Sequence, residues 1–260
     1  MVKAVFFDVD GTLVDSETHT IPNSTLSAIR QLKKMGYKTG IATGRCITSV
    51  YSVDGLDLSL FDAYVLNNGA CVFKNRSECI FDCSFGEKDV YEIIDFAEKN
   101  NITLILETIN ESFAINELND YVFIAKADFD EPLPITKKWE REKIVKINAF
   151  QKMKFDFGQL AEKKNIKIMP CPTTCYDIAP VNVSKLNGIY EIMKHWKLDK
   201  NEFMCFGDQD NDMEMIQGAE VGIAVKDKGS SENLQKAADY ICDAPRRNGI
   251  YNFLKQYNYI

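Results

Sequence analysis

Short apolar runs that end in polar clusters recur along this chain of 260 residues. Four of them are 3–7, 37–41, 63–66 and 203–206. Between the first two, apolar residues recur at helical spacing from Leu26 to Met35, and Ser24 is expected to cap that helix. This alternation of strand and helix patterns predicts right-handed crossovers and a parallel sheet.

The pattern changes near residue 70, where two short runs flank the turn-like segment 74–77 and predict an antiparallel hairpin. An amphipathic helix is then expected around Val90–Ala97. Further strands are expected at 102–106, 144–150, 166–169 and 175–178, with a helix at 155–164. This middle part therefore predicts a separate α+β module.

The first pattern returns beyond Pro180, where Ser184 is expected to cap a helix whose apolar face runs from Leu186 to Trp196. After the 203–206 run, strands are expected at 222–225 and 239–242, with a helix at 231–238. We predict an α/β fold with a Rossmann-like parallel-sheet core and an inserted α+β domain. The core is expected at 1–80 and 182–260, and the insertion at 81–181.

Composition changes this picture in two ways. The net charge of −7 disfavours a nucleic-acid partner, whose binding needs Lys and Arg against phosphates. No run approaches the roughly 20 apolar residues that cross a bilayer, and the amino terminus has no signal-peptide pattern, so we expect no membrane partner and a cytoplasmic location.

The eight cysteines are expected to be reduced and structural, because a chain of this size does not depend on disulfides for its core. Cys79 with Cys83, and Cys171 with Cys175, have the wrong spacing and no nearby histidine for zinc.

Carboxylates stand directly after two of the apolar runs, as Asp8 and Asp10 after the first and Asp208 and Asp212 after the last. In an open parallel sheet the carboxyl ends of the strands form one crevice, so these groups are expected to converge. Two carboxylates separated by one residue can divide nucleophilic attack and proton transfer between them. Four like charges require a cation, and carboxylate oxygens favour Mg²⁺, which implies an anionic substrate such as a phosphate.

Four ordered motifs resemble those of the haloacid dehalogenase superfamily: DVDGT at 8–12, ATGR at 42–45, SK at 184–185 and GDQDND at 207–212. The second Asp of the first motif is typical of the phosphatase branch. NNGA at 67–70, just before the insertion, makes the chain similar to the Cof-type phosphatases with a large α+β cap. Any one motif is a weak match, whereas four in order are specific.

The resemblance implies that Asp8 attacks phosphorus and becomes an aspartyl-phosphate, while Asp10 acts first as acid and then as base. Thr43 and Lys185 are implied to hold the phosphoryl oxygens. The implied metal ligands are Asp8, the backbone carbonyl of Asp10, and Asp208, with Asp212 supporting the metal or its waters. The remaining substrate contacts implied by the family are Gly44, Arg45, Asn68 and Asn211.

The expected function is therefore Mg²⁺-dependent hydrolysis of a small phosphorylated metabolite, such as a sugar phosphate, with the cap choosing the substrate. Two alternatives stay open: a sugar phosphomutase or phosphotransferase, and a non-catalytic module that accepts a phosphoryl group. The chain departs from the family pattern near its carboxyl terminus, where relatives often have an acidic residue before a glycine and this chain has Arg246-Arg247-Asn248-Gly249. The contacts of that loop are therefore not carried over from the relatives.

Overall fold

The computed structural model describes residues 1–128, 133–152, 154–171 and 175–260, the last three residues of the first range by their backbone alone. The strands are β1 (Ala4–Phe7), β2 (Lys38–Ala42), β3 (Ala63–Leu66), β4 (Cys71–Phe73), β5 (Cys79–Asp82), β6 (Thr103–Glu107), β7 (Ser112–Ile115), β8 (Ile135–Thr136), β9 (Lys146–Phe150), β10 (Ile166–Pro170), β11 (Cys175–Pro180), β12 (Phe203–Gly207), β13 (Val221–Lys226) and β14 (Tyr240–Asp243). The helices are α1 (Asn23–Lys34), α2 (Ile47–Tyr51), α3 (Glu87–Lys99), α4 (Asp120–Asp128), α5 (Lys185–His195), α6 (Met213–Gly218), α7 (Glu232–Ala237) and α8 (Gly249–Gln256).

The chain divides into two compact units. The first comprises Met1–Arg45, Val53–Phe81 and Ser184–Ile260, and the second comprises Cys46–Ser52 and Asp82–Val183. The boundaries expected from the sequence, 1–80 with 182–260 and 81–181, differ from these at 46–52, 81, 182 and 183. The division into a catalytic core and a cap stays a prediction.

The sheet of the first unit has eight strands in the order β14-β13-β12-β1-β2-β3-β4-β5. Neighbours from β14 to β3 pair in parallel, and β3 pairs with β4 in antiparallel fashion. The predicted fold class, an α/β fold with a parallel-sheet core, is confirmed.

Apolar side chains on successive residues of β1 pack on opposite faces of this sheet, as strand geometry requires. Phe6 stacks on Trp196 just beyond α5, with ring centroids 5.8 Å apart. Phe7 stacks on Phe206 of β12, which in turn meets Phe253 of α8 edge-on at 5.7 Å. Helices therefore cover both faces, and the polar residues that follow the strands gather at one edge.

The second unit contains a six-stranded sheet in the order β10-β11-β9-β6-β7-β8. The pairs along it are antiparallel except between β7 and β8. Val90, Ile93 and Ala97 of α3 are buried in a cluster with apolar residues of this sheet. The predicted α+β insertion is thereby confirmed.

Two local predictions are wrong. A helix was expected at 155–164, but the structure has only a short 3₁₀ turn at Gly158–Leu160, because the backbone N–H of Phe155 donates to Tyr176 Oη and Phe157 packs edge-on against that tyrosine. Ser24 is predicted to cap α1, but the helix begins at Asn23 with Pro22 at the cap position, and the Ser24 hydroxyl donates instead to Asn248 Oδ1 at 2.5 Å.

All eight cysteines are free thiols. Among the residues that the structure describes, no helix combines the length and the apolar character that a bilayer span requires. The cytoplasmic location stays a prediction.

The glycine at position 69 sets how closely the turn after β3 approaches the start of α5. Gly69 has a φ of +98°, and a Cβ there would lie 1.9 Å from the backbone oxygen of Ser184. Gly55 also has a positive φ, +72°, but nothing lies within 4 Å of its Cβ position. An alanine at either position would have a left-handed backbone, but only an alanine at position 69 would also clash with a neighbour.

We predict that Gly69→Ala lowers the free energy of unfolding by roughly 2–4 kcal/mol, since it adds a clash to the cost of a left-handed Ala. Gly55→Ala is expected to cost only about 1 kcal/mol. Urea unfolding followed by circular dichroism measures both. Equal losses in the two variants would contradict the close approach at Gly69.

Candidate active site

Asp8 and Asp208 come from adjacent strands and leave the sheet at the same edge. Asp8 follows β1 directly and Asp208 follows β12 directly, and the register pairs Phe7 with Phe206. The backbone N–H of Asp8 donates to the Phe206 oxygen at 3.0 Å. Both aspartates are buried, with 5% and 4% of their surface exposed. Residues 200 positions apart in the sequence thus become neighbours through strand order alone.

Lys185 joins two of the carboxylates. It is the first residue of α5, whose predicted cap is confirmed because Ser184 Oγ accepts from the Asn187 backbone N–H. The Lys185 ammonium donates to Asp8 Oδ1 at 2.7 Å and to Asp212 Oδ1 at 2.6 Å. Its side chain is fully buried. The cap therefore sets the start of the helix so that its first side chain enters the carboxylate cluster.

The other oxygen of Asp212 shapes the loop that carries Asp208. Asp212 Oδ2 accepts from the backbone N–H groups of Asp208 at 2.9 Å and Gln209 at 3.0 Å. Since Oδ1 of the same carboxylate binds Lys185, Asp212 ties the loop to the ammonium. Asp212 therefore positions both the Asp208 loop and the Lys185 side chain.

Asp208 has two further partners that the sequence reasoning did not place in the site. Thr12 Oγ1 donates to its Oδ1 at 3.1 Å, and Gln209 Nε2 donates to its Oδ2 at 3.1 Å. Gly11, at φ +79°, lets the backbone pass close by, because a Cβ there would lie 2.3 Å from Asp208 Oδ2. All three residues lie inside two of the motifs, DVDGT at 8–12 and GDQDND at 207–212. Their position next to the predicted aspartates is the sequence signal that points to them.

The charges of this cluster do not cancel. Oxygen atoms of Asp8, Asp208 and Asp212 lie within 4.8 Å of one another, and all three residues are buried. Three carboxylates and the ammonium of Lys185 sum to −2. At about 4 Å and an effective dielectric of about 20, each like-charged pair costs roughly 4 kcal/mol. A divalent cation would bring the sum to zero.

The pKa values record this excess of negative charge. Burial, together with the charges of Asp212 and Asp10, raises the pKa of Asp8 to about 7, although Lys185 acts in the opposite sense. Burial and the charges of Asp8 and Asp212 raise the pKa of Asp208 well above its ordinary value. Burial opposes the charge of Lys185, but Asp212 and Asp8 outweigh it and raise its pKa.

Asp10 lies outside the three-carboxylate cluster found among the described residues, and its side chain pairs with Arg45. Arg45 Nε donates to Asp10 Oδ2 and Arg45 Nη2 to Asp10 Oδ1, both at 2.8 Å. This two-point pairing fixes the plane of the carboxylate. The Asp10 side chain keeps 40% of its surface exposed, so water can reach it while it is held.

Four other residues predicted for the site lie close to one another. Thr43 and Gly44 follow β2, and Asn68 follows β3. Asn211 reaches them from the loop after β12. The backbone N–H of Asn68 donates to the Thr43 oxygen at 2.9 Å, and Asn211 Nδ2 donates to Asn68 Oδ1 at 3.0 Å. A Cβ on Gly44 would lie 3.2 Å from that same Asn68 oxygen. Thr43 Oγ1 accepts from the Arg45 backbone N–H at 3.2 Å. The structure thus brings these predicted residues to the ends of β2, β3 and β12, at the edge of the sheet where Asp8 and Asp208 also lie.

The donor set of the cluster fits a hard divalent cation. It offers carboxylate oxygens from three aspartates with no thiolate or imidazole among them. Such ligands suit Mg²⁺, Mn²⁺ or Ca²⁺ better than Zn²⁺. A cation bound to these oxygens and the ammonium of Lys185 can together hold an anion next to Asp8. The arrangement can therefore perform nucleophilic attack by a carboxylate on an electrophile that carries negative charge.

Comparison with known proteins identifies the family of this chain. The model of the haloacid dehalogenase-like hydrolase family matches residues 5–254. The chain is 24% identical to the 5-amino-6-(5-phospho-D-ribitylamino)uracil phosphatase YitU of Bacillus subtilis, over 97% of this chain and 96% of that protein.

Solved structures agree over the full length. The subclass IIB sugar phosphatase BT4131 superposes with a TM-score of 0.87 at 27% identity, over 100% of both chains. Another structure, from work on a trigonal-bipyramidal intermediate in a phosphoryl-transfer superfamily, superposes with a TM-score of 0.90 at 29% identity and the same coverage. With its four motifs, its fold and a family match over nearly its whole length, the chain belongs to the haloacid dehalogenase-like hydrolases.

Proposed function

We propose that this hydrolase removes the phosphoryl group from small phosphorylated metabolites, sugar phosphates among them, through an aspartyl-phosphate on Asp8. One observation carries the proposal: the Asp8 carboxylate lies 2.7 Å from the buried ammonium of Lys185, inside a cluster whose three carboxylates, when ionised, leave two negative charges uncompensated. The similarity to a sugar phosphatase and to a phosphatase of a phosphoribityl compound supports the substrate class. The same proposal keeps the enzyme in the cytoplasm, with no nucleic-acid or membrane partner.

In the first step, a carboxylate oxygen of Asp8 forms a bond to phosphorus while the bond from phosphorus to the ester oxygen breaks. Asp10 gives its proton to the departing alkoxide, which leaves as the alcohol. Lys185 binds the phosphoryl oxygens from its position beside Asp8, and the Thr43 hydroxyl donates to them. The negative charge that develops on the phosphoryl group is thus stabilised by the Lys185 ammonium, which is buried away from water.

In the second step, Asp10 takes a proton from water as the water oxygen bonds to phosphorus. The bond between phosphorus and the Asp8 oxygen breaks, so the Asp8 carboxylate is restored and phosphate leaves. Arg45 holds the Asp10 carboxylate at two points in the structure, which positions it for both proton transfers. One positioned carboxyl therefore serves as acid and then as base, which requires that it stay open to water.

We assign Mg²⁺ as the cation. Asp8, Asp208 and the backbone carbonyl of Asp10 would hold it, and Asp212 supports the arrangement through the loop it ties to Lys185. When bound, the ion supplies the positive charge that the carboxylates lack and that the phosphoryl oxygens need. Gly44, Asn68 and Asn211 are proposed to line the substrate entrance.

Two other functions use the same residues. A phosphomutase or phosphotransferase would return the phosphoryl group to a sugar, so it would form an isomer or a new ester without free phosphate. A phospho-accepting module would keep a stable phosphoryl group and turn nothing over. Product analysis separates all three. The hydrolase is favoured here because the family that matches the chain is a family of hydrolases.

Activity tests the role of Asp8 directly. We predict that Asp8→Asn lowers phosphate release from a panel of phosphorylated sugars by at least about 1000-fold, since Asn cannot act as the nucleophile. Asp10→Asn is expected to lower it by roughly 100-fold or more, which is the range for lost acid and base catalysis. Circular dichroism confirms folding of both. Equal rates in wild type and Asp8→Asn would remove Asp8 from the mechanism.

Cation binding is tested by stability. We predict that millimolar Mg²⁺ raises the thermal midpoint of the wild type, by a gain of about 2.7 kcal/mol when Mg²⁺ is at 100 times its dissociation constant. Asp208→Asn is expected to lose most of this gain. Asp210→Asn removes an exposed charge from the same loop and should keep it. Parallel titrations with Mn²⁺ and Ca²⁺ rank the ions, and a wild-type midpoint that no cation moves would contradict the site.

The pKa of Asp8 predicts how pH changes stability without metal. The folded value is about 7, against an ordinary value of 3.8, so the folded state binds more protons than the unfolded state between the two. In EDTA, the free energy of unfolding should therefore fall as pH rises from about 5 to about 7, by up to about 1.4 kcal/mol per pH unit. Asp8→Asn should remove the part of this slope that Asp8 supplies and leave the part from Asp208, whose pKa is also raised. Urea midpoints at several pH values will measure the difference. Identical slopes in the two proteins would show that Asp8 titrates normally.

A further inference from the structure

Arg246 joins three acidic side chains from two loops of the first unit. It lies in a 3₁₀ turn, Pro245–Arg247, between β14 and α8. Its backbone N–H and its Nη1 both donate to Asp15 Oδ2, at 3.0 and 2.9 Å. Nη1 also donates to Asp227 Oδ1 at 2.5 Å, and Nη2 lies 3.2 Å from a carboxylate oxygen of Glu17.

The Asp15 carboxylate is the anchor of the loop that follows the first catalytic motif. It is fully buried, and its second oxygen accepts from the backbone N–H groups of Glu17 at 3.1 Å and Thr18 at 3.0 Å. Burial disfavours its charge, but the hydrogen bonds from Thr18, Arg246 and Glu17 outweigh burial and lower the pKa of Asp15 to about 2. Asp15 is therefore an anion at every pH at which the enzyme would work.

The loop anchored by Asp15 also carries Asp10. Val14 donates through its backbone N–H to the Val9 oxygen at 2.8 Å, and Gly11 donates to the Val14 oxygen at 2.9 Å. These bonds close the loop on either side of Asp10, and Asp15 is the next residue after Val14. A shift of the Asp15 anchor would therefore move the backbone that presents the Asp10 carboxyl.

The second loop held by Arg246 reaches the carboxylate cluster. The Asp227 side chain is almost fully buried, and its Oδ2 accepts from Ser16 Oγ at 2.7 Å. The backbone N–H of Asp227 is bound by Ser230 Oγ at 3.1 Å. One residue further, the backbone N–H of Ser231 donates to the backbone oxygen of Asp208 at 2.8 Å. Arg246 thus connects the segment that carries Asp10 to the segment that supports Asp208.

Charge explains why an arginine is needed at this place. The buried carboxylates of Asp15 and Asp227 both bind Nη1 of one guanidinium, whose planar fork offers five donors. Without that cation, two buried negative charges would face each other without compensation, which strongly disfavours the folded arrangement of both loops. This tie falls in the segment 245–249, where the sequence departs from its family pattern.

We infer that Arg246 is a positioning residue, which acts through Asp15 and Asp227 to keep the Asp10 loop and the Asp208 loop in register. Arg246 is given no contact with substrate or with reacting atoms. The catalytic part of this inference rests on the proposed phosphatase function. The structural part, order in the two loops, does not.

The neighbouring arginine provides a matched control. Arg247 carries the same charge one residue further along, and it is exposed. The experiment compares Arg246→Ala with Arg247→Ala by hydrogen exchange of peptides that cover 9–20 and 227–231, and by kcat and KM for the best sugar phosphate. For Arg246→Ala we expect faster exchange in both peptides and a kcat lower by roughly 10- to 100-fold, the range for a small misplacement of catalytic groups. KM should change much less, and Arg247→Ala should match the wild type.

Chemical rescue separates positioning from loss of folding. A solvent-open cavity of about 270 Å³ borders Arg246 and is also lined by Lys226 and Arg247. Methylguanidinium added to Arg246→Ala can enter there and bridge the two carboxylates, so it should restore part of kcat and slow exchange in both peptides. Methylammonium carries the same charge without the fork and should restore less. If Arg246→Ala does not fold, Arg246→Lys takes its place. Its kcat is expected to be lower than that of the wild type, by less than the roughly 10- to 100-fold expected for full loss of the guanidinium contacts.

Each outcome decides one of the two proposals. If the wild type releases phosphate and Arg246→Ala matches Arg247→Ala in kcat and in exchange, the positioning inference is wrong. If exchange rises but kcat is unchanged, Arg246 orders the loops and does not position the catalytic groups. If the wild type turns over no phosphorylated metabolite, the proposed function fails, and exchange in the two peptides alone decides whether Arg246 holds the loops.

Discussion

Every feature of this site depends on the need to keep buried carboxylates together. Asp8, Asp208 and Asp212 lie within 4.8 Å of one another in a place from which water is largely excluded. Lys185 compensates one of the three charges, and hydrogen bonds from Thr12, Gln209 and backbone N–H groups orient the rest. The remaining charge is the physical basis of the cation and the anionic substrate that we propose for this site.

The sheet makes this concentration of charge possible. Parallel pairing of β12, β1, β2 and β3 places the residues after each strand at one edge, so the site is assembled from segments far apart in sequence. The apolar runs predicted those strands because a strand buried on both faces carries apolar residues on both. Polar residues directly after the runs then predicted Asp8, Thr43, Asn68 and Asp208 as neighbours along that edge. The apolar runs and the polar residues that follow them were enough to predict this part of the fold.

Other features depend on contacts that periodicity does not encode. The segment 155–164 has a helical apolar pattern, but Phe155 and Phe157 are fixed by Tyr176 from a distant strand, and no helix forms. The chain also ends in an unpredicted helix, α8, which covers Phe206 through Phe253. Arg45 pairs with Asp10 in the structure, a contact that the sequence did not predict, and its contact with substrate stays a prediction. Side chains of this length reach several partners, and only the folded backbone selects among them.

The division of the first unit into separate stretches of sequence has a consequence for biosynthesis. Strands β1 to β5 leave the ribosome early, but β12, which pairs with the free side of β1, follows more than a hundred residues later. At ordinary rates of translation, that interval is on the order of ten seconds. During it the nascent chain exposes the apolar edge of β1, and a hydrophobic strand edge is a site for misassociation. Residues of the second unit can fold in this interval, whereas the carboxylate cluster cannot form until Lys185, Asp208 and Asp212 have emerged.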